Sequence, residues 1–162
     1  MPKPYRVGLF VRSNNVVMRS LINAGVRIGT FAVLTVRGRK TGRPVHVPLV
    51  VFPFAGNDYL VASYGVVNWV RNVRAADGRA ELRRGHLSEN ITAVELAAEQ
   101  AGPVLRFSLN TGPPGIPRLI VRIFRRYFVL PYLDVDMDSS DDDFVRSART
   151  HPVFRVQRVG QS

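Results

Sequence analysis

The sequence has no cysteine and only three histidines among its 162 residues. Without cysteine there can be no disulfide bond, thiolate metal site or cysteine nucleophile. His46, His86 and His151 lack the spacing of a zinc site, and we interpret each as a surface or hydrogen-bonded structural residue. We therefore expect no metal, so any chemistry has to come from other side chains or from an organic cofactor.

Common catalytic motifs are also missing. No serine lies in G-x-S-x-G, no G-x-G-x-x-G follows a predicted strand, and no P-loop occurs. The acidic segment from Asp134 to Asp143 begins like an EF-hand loop, but Ser139 and Val145 replace the required glycine and glutamate. We interpret this segment as the acidic N-terminus of a helix.

Long hydrophobic runs are absent too. The longest, Val47 to Gly56, contains two prolines and is much shorter than the roughly 20 residues that a membrane-spanning helix needs. The N-terminus has no pattern of a secretory signal. With 46% hydrophobic residues, the chain is predicted to form a single globular domain over residues 1–162, located in the cytoplasm.

Negative charge is missing from the first third of the chain. Residues 1–57 contain nine basic residues and no carboxylate, whereas the other 105 residues contain 14 basic and 12 acidic residues. The net charge of +11 therefore belongs mostly to the N-terminal part. This asymmetry indicates an anionic partner, which charge alone leaves open among nucleic acid, a membrane surface and a phosphorylated cofactor.

Hydrophobic periodicity and turn residues predict an α+β fold with an antiparallel sheet. Short polar turns separate the β-rich segments, which favours pairing between neighbours along the chain. The predicted strands are 31–36, 45–52, 59–63, 80–84, 91–96 and 153–159. The predicted helices are 7–24, 69–76 capped by Asn68, 99–109, 118–132, and 144–149 capped by Ser139 or Ser140.

The segment from Arg118 to Tyr132 is predicted to be a basic amphipathic helix. Four arginines fall on one face, and aliphatic and aromatic residues occupy the other. One interpretation is a helix that covers the barrel with its apolar face and exposes its arginines to solvent. The other is a helix that lies in a lipid interface, which leads to the hypothesis of weak peripheral binding to anionic membranes.

The turn from Arg37 to Pro44 is the strongest local signal for a binding site. Gly38 and Gly42 permit left-handed backbone conformations, which let amide N–H groups converge on an anion. Four cations and one threonine hydroxyl surround these glycines. Arginine can bind a phosphate with two hydrogen bonds while lysine adds a compact charge, so the turn suits a phosphodiester or a series of carboxylates.

Four segments in order resemble the deazaflavin-dependent nitroreductase family. They are Gly38–Pro44 (G-R-K-[ST]-G-x-P), Val47–Leu49 (V-P-L), Val61–Gly65 ([VA]-A-S-x-G-G) and Trp69–Ala75 (W-x-x-N-L-x-A). The resemblance spans about residues 16–85, with a weaker similarity at His151–Arg155. The chain departs from the longer members between Gly65 and Trp69, where it has only three residues in place of a proline-containing loop.

The resemblance implies a split β-barrel of about six mostly antiparallel strands with outer helices. It also implies coenzyme F420 as the cofactor, an 8-hydroxy-5-deazaflavin with a phosphodiester and an oligoglutamate tail. The residues implied to hold the phosphate and tail are Arg39, Lys40, Thr41, Gly42 and Arg43. Those implied to lie along the ring or to form its wall are Val47, Pro48, Ala62, Ser63, Tyr64, Gly65, Trp69 and Asn72.

The activity implied by the resemblance is hydride transfer from reduced F420 to a small electrophilic acceptor, such as a quinone, an enone or a nitro compound. No catalytic residue is assigned, and Tyr64, Tyr127 and Tyr132 are candidates by residue type. Two alternatives stay open: an FMN-binding split barrel, and a non-catalytic basic module that binds a cofactor, nucleic acid or anionic membrane. Nucleic acid is not expected, because no aromatic residues are interleaved with the basic turn. We expect a monomer or a homodimer.

Overall fold

Six antiparallel strands form a closed barrel in the described part of the chain. The structure is a computed structural model, and it describes residues 31–111, 117–136 and 138–160, so the predicted helix 7–24 lies outside the described residues. The strands are β1 (Phe31–Arg37), β2 (Pro44–Phe54), β3 (Asn57–Val61), β4 (Arg79–Arg84), β5 (Leu87–Glu95) and β6 (Val153–Arg158). Their order around the barrel is β1-β2-β3-β6-β5-β4. The predicted fold class is therefore confirmed.

The barrel interior follows from the alternation of side chains along each strand. Ala32, Leu34 and Val36 on β1 belong to the inner core, as expected for a period of two. Leu82 from β4 and Phe154 from β6 join them with no more than 1% of their surface exposed. Gly78 precedes β4 with φ +78°, and a Cβ there would lie 2.4 Å from the Ala93 carbonyl oxygen, so only glycine fits this turn.

Four α-helices and one 3-10 helix cover the described part of the barrel. They are α1 (Asn68–Ala75), α2 (Ala98–Asn110), α3 (Arg118–Phe128), the 3-10 helix Leu130–Tyr132, and α4 (Asp141–Ala148). The predicted single helix 118–132 is thus divided, because Pro131 has no amide hydrogen to continue the α-helical hydrogen bonds. A second hydrophobic cluster, which includes Leu105 of α2 and Phe144 of α4, joins these two helices to the barrel wall.

Two predicted helix caps have different outcomes. Ser140 caps α4: its Oγ accepts from Asp143 N, and the Asp143 side chain accepts from Ser140 N, so of the two candidates Ser140 is the cap. The predicted Asn68 cap is wrong, because Asn68 is already the first residue of α1 and Val67 takes the cap position without a side-chain hydrogen bond. The Asn68 Oδ1 instead accepts from Arg39 Nη2 at 3.4 Å.

The orientation of α3 also differs from the interpretation in which its apolar face covers the barrel. Leu119, Ile120, Ile123 and Tyr127 are between 51% and 66% exposed. Arg125, expected in solvent, is half-buried. The helix therefore exposes several apolar side chains while Arg125 is half-buried, an arrangement that its amphipathic pattern alone does not predict.

Candidate functional site

The β1–β2 turn is held by its own backbone. Gly38 N donates to Arg43 O and Gly42 N donates to Gly38 O, both at 2.8 Å. Gly42 has φ +70°, a conformation that costs other residues about 1–2 kcal/mol. Thr41 Oγ1 accepts from Arg43 N at 3.3 Å, which fixes the hydroxyl inside the turn. The two glycines thus shape a tight loop that backbone hydrogen bonds close.

Asn72 joins this turn to α1. Its Oδ1 accepts from Arg39 N at 3.2 Å and from Arg39 Nη1 at 2.8 Å. Asn72 is only 4% exposed, so this oxygen depends on Arg39 for its hydrogen bonds. The pairing sets the turn against the helix, and Arg39 also lines a pocket beside it.

That pocket, which we call the cationic pocket, has a volume of about 650 Å³. Four cations and no carboxylate are among its lining residues, which are Arg37, Gly38, Arg39, Lys40, Thr41, Gly42, Ala75, Ala76 and Arg79. Arg79 also forms an ion pair with the exposed Asp77, whose Oδ2 lies 3.5 Å from Arg79 Nη2. Such exposed pairs are weak, so the pocket keeps a strong preference for anions.

A second pocket, which we call the apolar pocket, has a volume of about 440 Å³ and lies against the other end of α1. Trp69 of α1 forms part of its wall and packs against Phe154, with ring centroids 5.5 Å apart and the ring planes tilted by 57°. The lining residues are Phe31, Pro48, Leu49, Val50, Phe52, Val61, Ala62, Ser63, Tyr64, Val67, Trp69, Ser108, Leu109, Ile120, Val121, Arg125 and Val129. A largely apolar wall with a few polar groups suits a planar organic ring system.

The segment after β3 supplies one rim of the apolar pocket. Ala62 N donates to Pro152 O and Gly65 N donates to Ala62 O, both at 2.9 Å, so the chain turns sharply where the strand ends. Tyr64 then packs edge-on against Tyr132, with ring centroids 5.4 Å apart and an interplanar angle of 77°. The rim is therefore built by two distant segments of the chain.

His151 holds the Tyr132 side of this rim. Its Nε2 lies 2.9 Å from the Tyr132 carbonyl oxygen, and its Nδ1 lies 3.0 Å from both the Ser147 carbonyl oxygen and Thr150 Oγ1. The imidazole is 4% exposed. This geometry confirms the interpretation of His151 as a hydrogen-bonded structural histidine, and it links α4 and β6 to the 3-10 helix beside the pocket.

Arg125 differs from every other residue of the apolar pocket in carrying a charge. Its Nη2 donates to the Thr111 carbonyl oxygen. Burial lowers the pKa of its guanidinium to about 10, because the charged form loses hydration. No carboxylate of the described residues forms an ion pair with it. The pocket therefore contains a positive charge that is not neutralised locally.

The structure divides the expected site residues among several places. Arg39, Lys40, Thr41 and Gly42 line the cationic pocket. Pro48, Ala62, Ser63, Tyr64 and Trp69 line the apolar pocket. Asn72 lies at the turn and bonds Arg39. Like Asn72, five other expected residues line neither pocket: Arg43, Val47, Gly65, Tyr127 and Tyr132.

Three charged residues line the pockets although the sequence analysis did not predict them as contacts: Arg37, Arg79 and Arg125. Arg79 could have been found from the pairing of β1 with β4. This antiparallel register pairs Thr35 with Glu81, and continuing it by two residues places Arg79 opposite Arg37. No such signal identifies Arg125, because helical periodicity places it on the same face as the other arginines of α3.

No group of three or more histidine, aspartate or glutamate side chains in the described residues is arranged to hold a metal ion. None of the helices within them combines the length and the apolar composition needed to cross a bilayer.

Several solved structures are similar to the chain in fold. An F420-H2-dependent reductase, FDR-A, is 20% identical with a TM-score of 0.47, over 79% of this chain and 94% of that one. A protein described as a domain-swapped dimer is 22% identical with a TM-score of 0.47, over 91% and 97%. A FAD-binding protein from Mesorhizobium loti is 13% identical with a TM-score of 0.43, over 87% and 86%. No curated protein matches the chain.

A family model decides between the cofactor classes. The model of the F420H(2)-dependent quinone reductases matches residues 10–111, more than half of the chain. This range includes the basic turn, β1 to β5, α1 and α2. The chain belongs to the F420H(2)-dependent quinone reductase family and is an F420-dependent oxidoreductase with a split β-barrel fold.

Proposed function

We propose that the two pockets form one extended site, in which the cationic pocket binds the phosphodiester and glutamate tail of F420 and the apolar pocket holds the deazaflavin ring with a quinone acceptor. The observation that carries this proposal is their placement along α1. Trp69 lines the apolar pocket and Ala75 the cationic pocket, and six helical residues correspond to roughly 9 Å. A ligand with a ring at one end and a polyanionic chain at the other fits this arrangement.

The residues present fit such a cofactor chemically. Arg37, Lys40 and Arg79 supply charge where the tail carries phosphate and carboxylates. FMN has a single terminal phosphate and would leave most of these cations without a partner. Arg43 and Val47, which the family resemblance implies as contacts, line neither pocket, and we propose that they act through the turn and strand that they belong to.

The protein's part in the reaction is binding, orientation and exclusion of water. When bound, the reduced cofactor supplies a hydride. Pro48 and Trp69 provide flat apolar surface on the wall of the pocket, and Ser63 and Tyr64 are hydroxyl-bearing residues of its lining. Tyr64 is the best placed of the three tyrosine candidates, since it alone of them lines the pocket. Tyr127 lies on the exposed side of α3.

Parallel titrations with F420 and FMN test the proposal. Trp69 is the only tryptophan of the chain, so quenching of its fluorescence reports occupation of the apolar pocket. We expect tight F420 binding that weakens with salt, and weaker FMN binding. Reduced F420 should then be oxidised by a quinone, as followed by the deazaflavin absorbance. FMN binding without any F420 signal would contradict the assignment.

A specific observation also favours peripheral membrane binding as a second property. Leu119, Ile123 and Tyr127 of α3 are each more than half exposed, and Arg118, Arg122 and Arg126 beside them are exposed as well. Apolar side chains bordered by arginines complement an anionic lipid surface. Ile120 is exposed on the same helix and also lines the apolar pocket. We therefore propose that α3 docks on the cytoplasmic face of the membrane, where a lipophilic quinone can reach the pocket.

Sedimentation with anionic vesicles at low and high salt tests this docking. The double variant Leu119→Ser/Ile123→Ser should reduce the pelleted fraction several-fold. Leu87→Ser is the matched control, since Leu87 is 69% exposed but lies at the start of β5. Equal loss in both variants, or equal pelleting with neutral vesicles, would contradict docking through α3.

A further inference from the structure

We propose that Arg125 is the acceptor-binding residue of the apolar pocket, where its guanidinium donates a hydrogen bond to a carbonyl oxygen of the quinone and stabilises the negative charge that reduction places on that oxygen. This inference rests on the proposed function, because it assumes that the acceptor enters this pocket. Arg125 lies outside the segment that the family model matches, residues 10–111.

Arg125 is distinguished from the other lining residues by its charge and its hydrogen-bond donors. Among the described lining residues it alone is charged. The Ser108 hydroxyl, another polar group of the wall, already donates to Leu105 O at 2.7 Å. A guanidinium has five N–H donors, and the hydrogen bond to Thr111 O occupies one of those on Nη2. Arg125 therefore has donors left for a ligand in a pocket that offers few others.

The electrostatics agree with this role. Arg125 is half-buried, and no described carboxylate forms an ion pair with it. Burial without a partner lowers its pKa to about 10, yet leaves it protonated at neutral pH. A partly desolvated charge of this kind interacts more strongly with an oxyanion than an exposed arginine does.

The step balances without a further reactant. Quinone reduction adds a hydride from the reduced deazaflavin to the ring system of the acceptor. The displaced π electron pair moves to a carbonyl oxygen, which becomes an oxyanion next to the guanidinium. A proton from water then neutralises this oxygen, and solvent-mediated transfer of the extra ring C–H proton to the second carbonyl oxygen gives the hydroquinone. Arg125 acts through charge and hydrogen bonding and loses no proton.

Binding of two probes to the cofactor-free protein tests the proposal without turnover. The neutral probe is 2-methyl-1,4-naphthoquinone, and the anionic probe is 2-hydroxy-1,4-naphthoquinone, which is ionised at neutral pH and resembles the charged oxygen. Both are followed by quenching of Trp69, which lines the same pocket. Arg125→Met should weaken binding of the anion by a factor of about ten to a hundred, as for loss of a charge-assisted hydrogen bond. Binding of the neutral quinone should change by less than about threefold.

Two further variants separate a specific contact from general effects. Arg126→Met removes the same formal charge from an exposed position on α3, and it should leave the ratio of the two affinities unchanged. Arg125→Lys keeps the charge and should restore part of the preference for the anion. Equal loss of both probes in Arg125→Met indicates a structural role and overturns the proposal, as does an unchanged ratio or binding of neither probe to the wild type. Since no arm contains F420, failure here is distinct from failure of the F420 titration.

Discussion

The two pockets differ in physical character. The cationic pocket is an open turn whose four charges are exposed to solvent, and it presents charge with little shape. The apolar pocket is enclosed by strands, α1, α2 and α3, and it contains one charge in an otherwise apolar wall. Salt screens exposed charges but not apolar contacts or buried charges. The first pocket should therefore control cofactor affinity in a salt-dependent manner, and the second should control the fit of the ring and the acceptor.

The largest effect is expected from removing two of the four charges of the cationic pocket. Lys40→Ala/Arg79→Ala should weaken F420 binding at low salt by roughly tenfold per residue, about 1.4 kcal/mol each. The salt dependence of the dissociation constant should become shallower. Titrations that follow F420 fluorescence at several ionic strengths measure both quantities.

A truncated ligand sharpens this test. The deazaflavin that lacks phosphate and glutamates should bind the double variant as well as it binds the wild type, since the proposed site places its ring contacts in the apolar pocket. Arg43→Ala is the control for charge, because Arg43 is exposed and lines neither pocket. A loss with Arg43→Ala equal to that with Arg79→Ala would show that net charge, and not the pocket, attracts the tail.

Trp69→Leu is expected to weaken binding of the cofactor ring and not of its anionic tail. This change removes flat aromatic surface from the apolar pocket, and stacking on such a surface contributes about 1–3 kcal/mol. F420 and its truncated form should lose affinity by the same factor, roughly tenfold, while the salt dependence stays that of the wild type. Unequal losses would mean that Trp69 contacts the chain of the cofactor and not its ring. Thermal unfolding has to accompany the titration, because Trp69 also packs on Phe154.

How far the sequence predicts this molecule depends on the range of the interactions involved. The six strands and the basic turn are predicted because alternation, glycine positions and short connections are local signals. The predicted Asn68 cap is wrong, because the helix begins one residue earlier than expected. The Asn68 side chain instead accepts a hydrogen bond from Arg39, 29 positions away. Arg79 joins the cationic pocket only through the β1–β4 pairing that closes the barrel.

The apolar pocket is less predictable than the cationic pocket for the same reason. Its wall combines residues from Phe31 to Val129, so it exists only once the barrel and helices have packed. Helical periodicity places four arginines on one face of α3, yet of these only Arg125 lines the pocket. The four are Arg118, Arg122, Arg125 and Arg126. Helical periodicity identifies an amphipathic helix but not which side faces inward.

A smaller effect is expected from Gly42→Ala in the basic turn. At φ +70° an alanine is strained by about 1–2 kcal/mol, and the nearest side chain to its Cβ is that of Arg37 at 3.4 Å. Stability should fall by that amount, and F420 binding should weaken as the turn distorts. Gly56→Ala is the matched control, with φ +79° and no atom within 4 Å of the added Cβ. It should cost similar stability in urea unfolding and leave F420 affinity unchanged.

The smallest effect concerns the helical layer behind the apolar pocket. Ser140→Ala removes the α4 cap and should lower the free energy of unfolding by about 1 kcal/mol. Because α4 shares an apolar cluster with α2, which contributes Ser108 and Leu109 to the pocket, binding of the neutral quinone should weaken slightly. Binding to the cationic pocket should keep its salt dependence. Urea unfolding at pH 7 measures the main effect.

The cost of Ser140→Ala should also depend on pH. The side-chain hydroxyl of Ser140, and then its backbone N–H, hold the pKa of Asp143 below its ordinary value. A carboxyl group with a depressed pKa in the folded protein stabilises it above the unfolded pKa, and this contribution disappears as the pH falls through the folded pKa. The difference between the wild type and Ser140→Ala should therefore shrink when unfolding is measured below about pH 4. In an Asp143→Asn background the difference should not change with pH; a change there would assign the effect to another carboxylate.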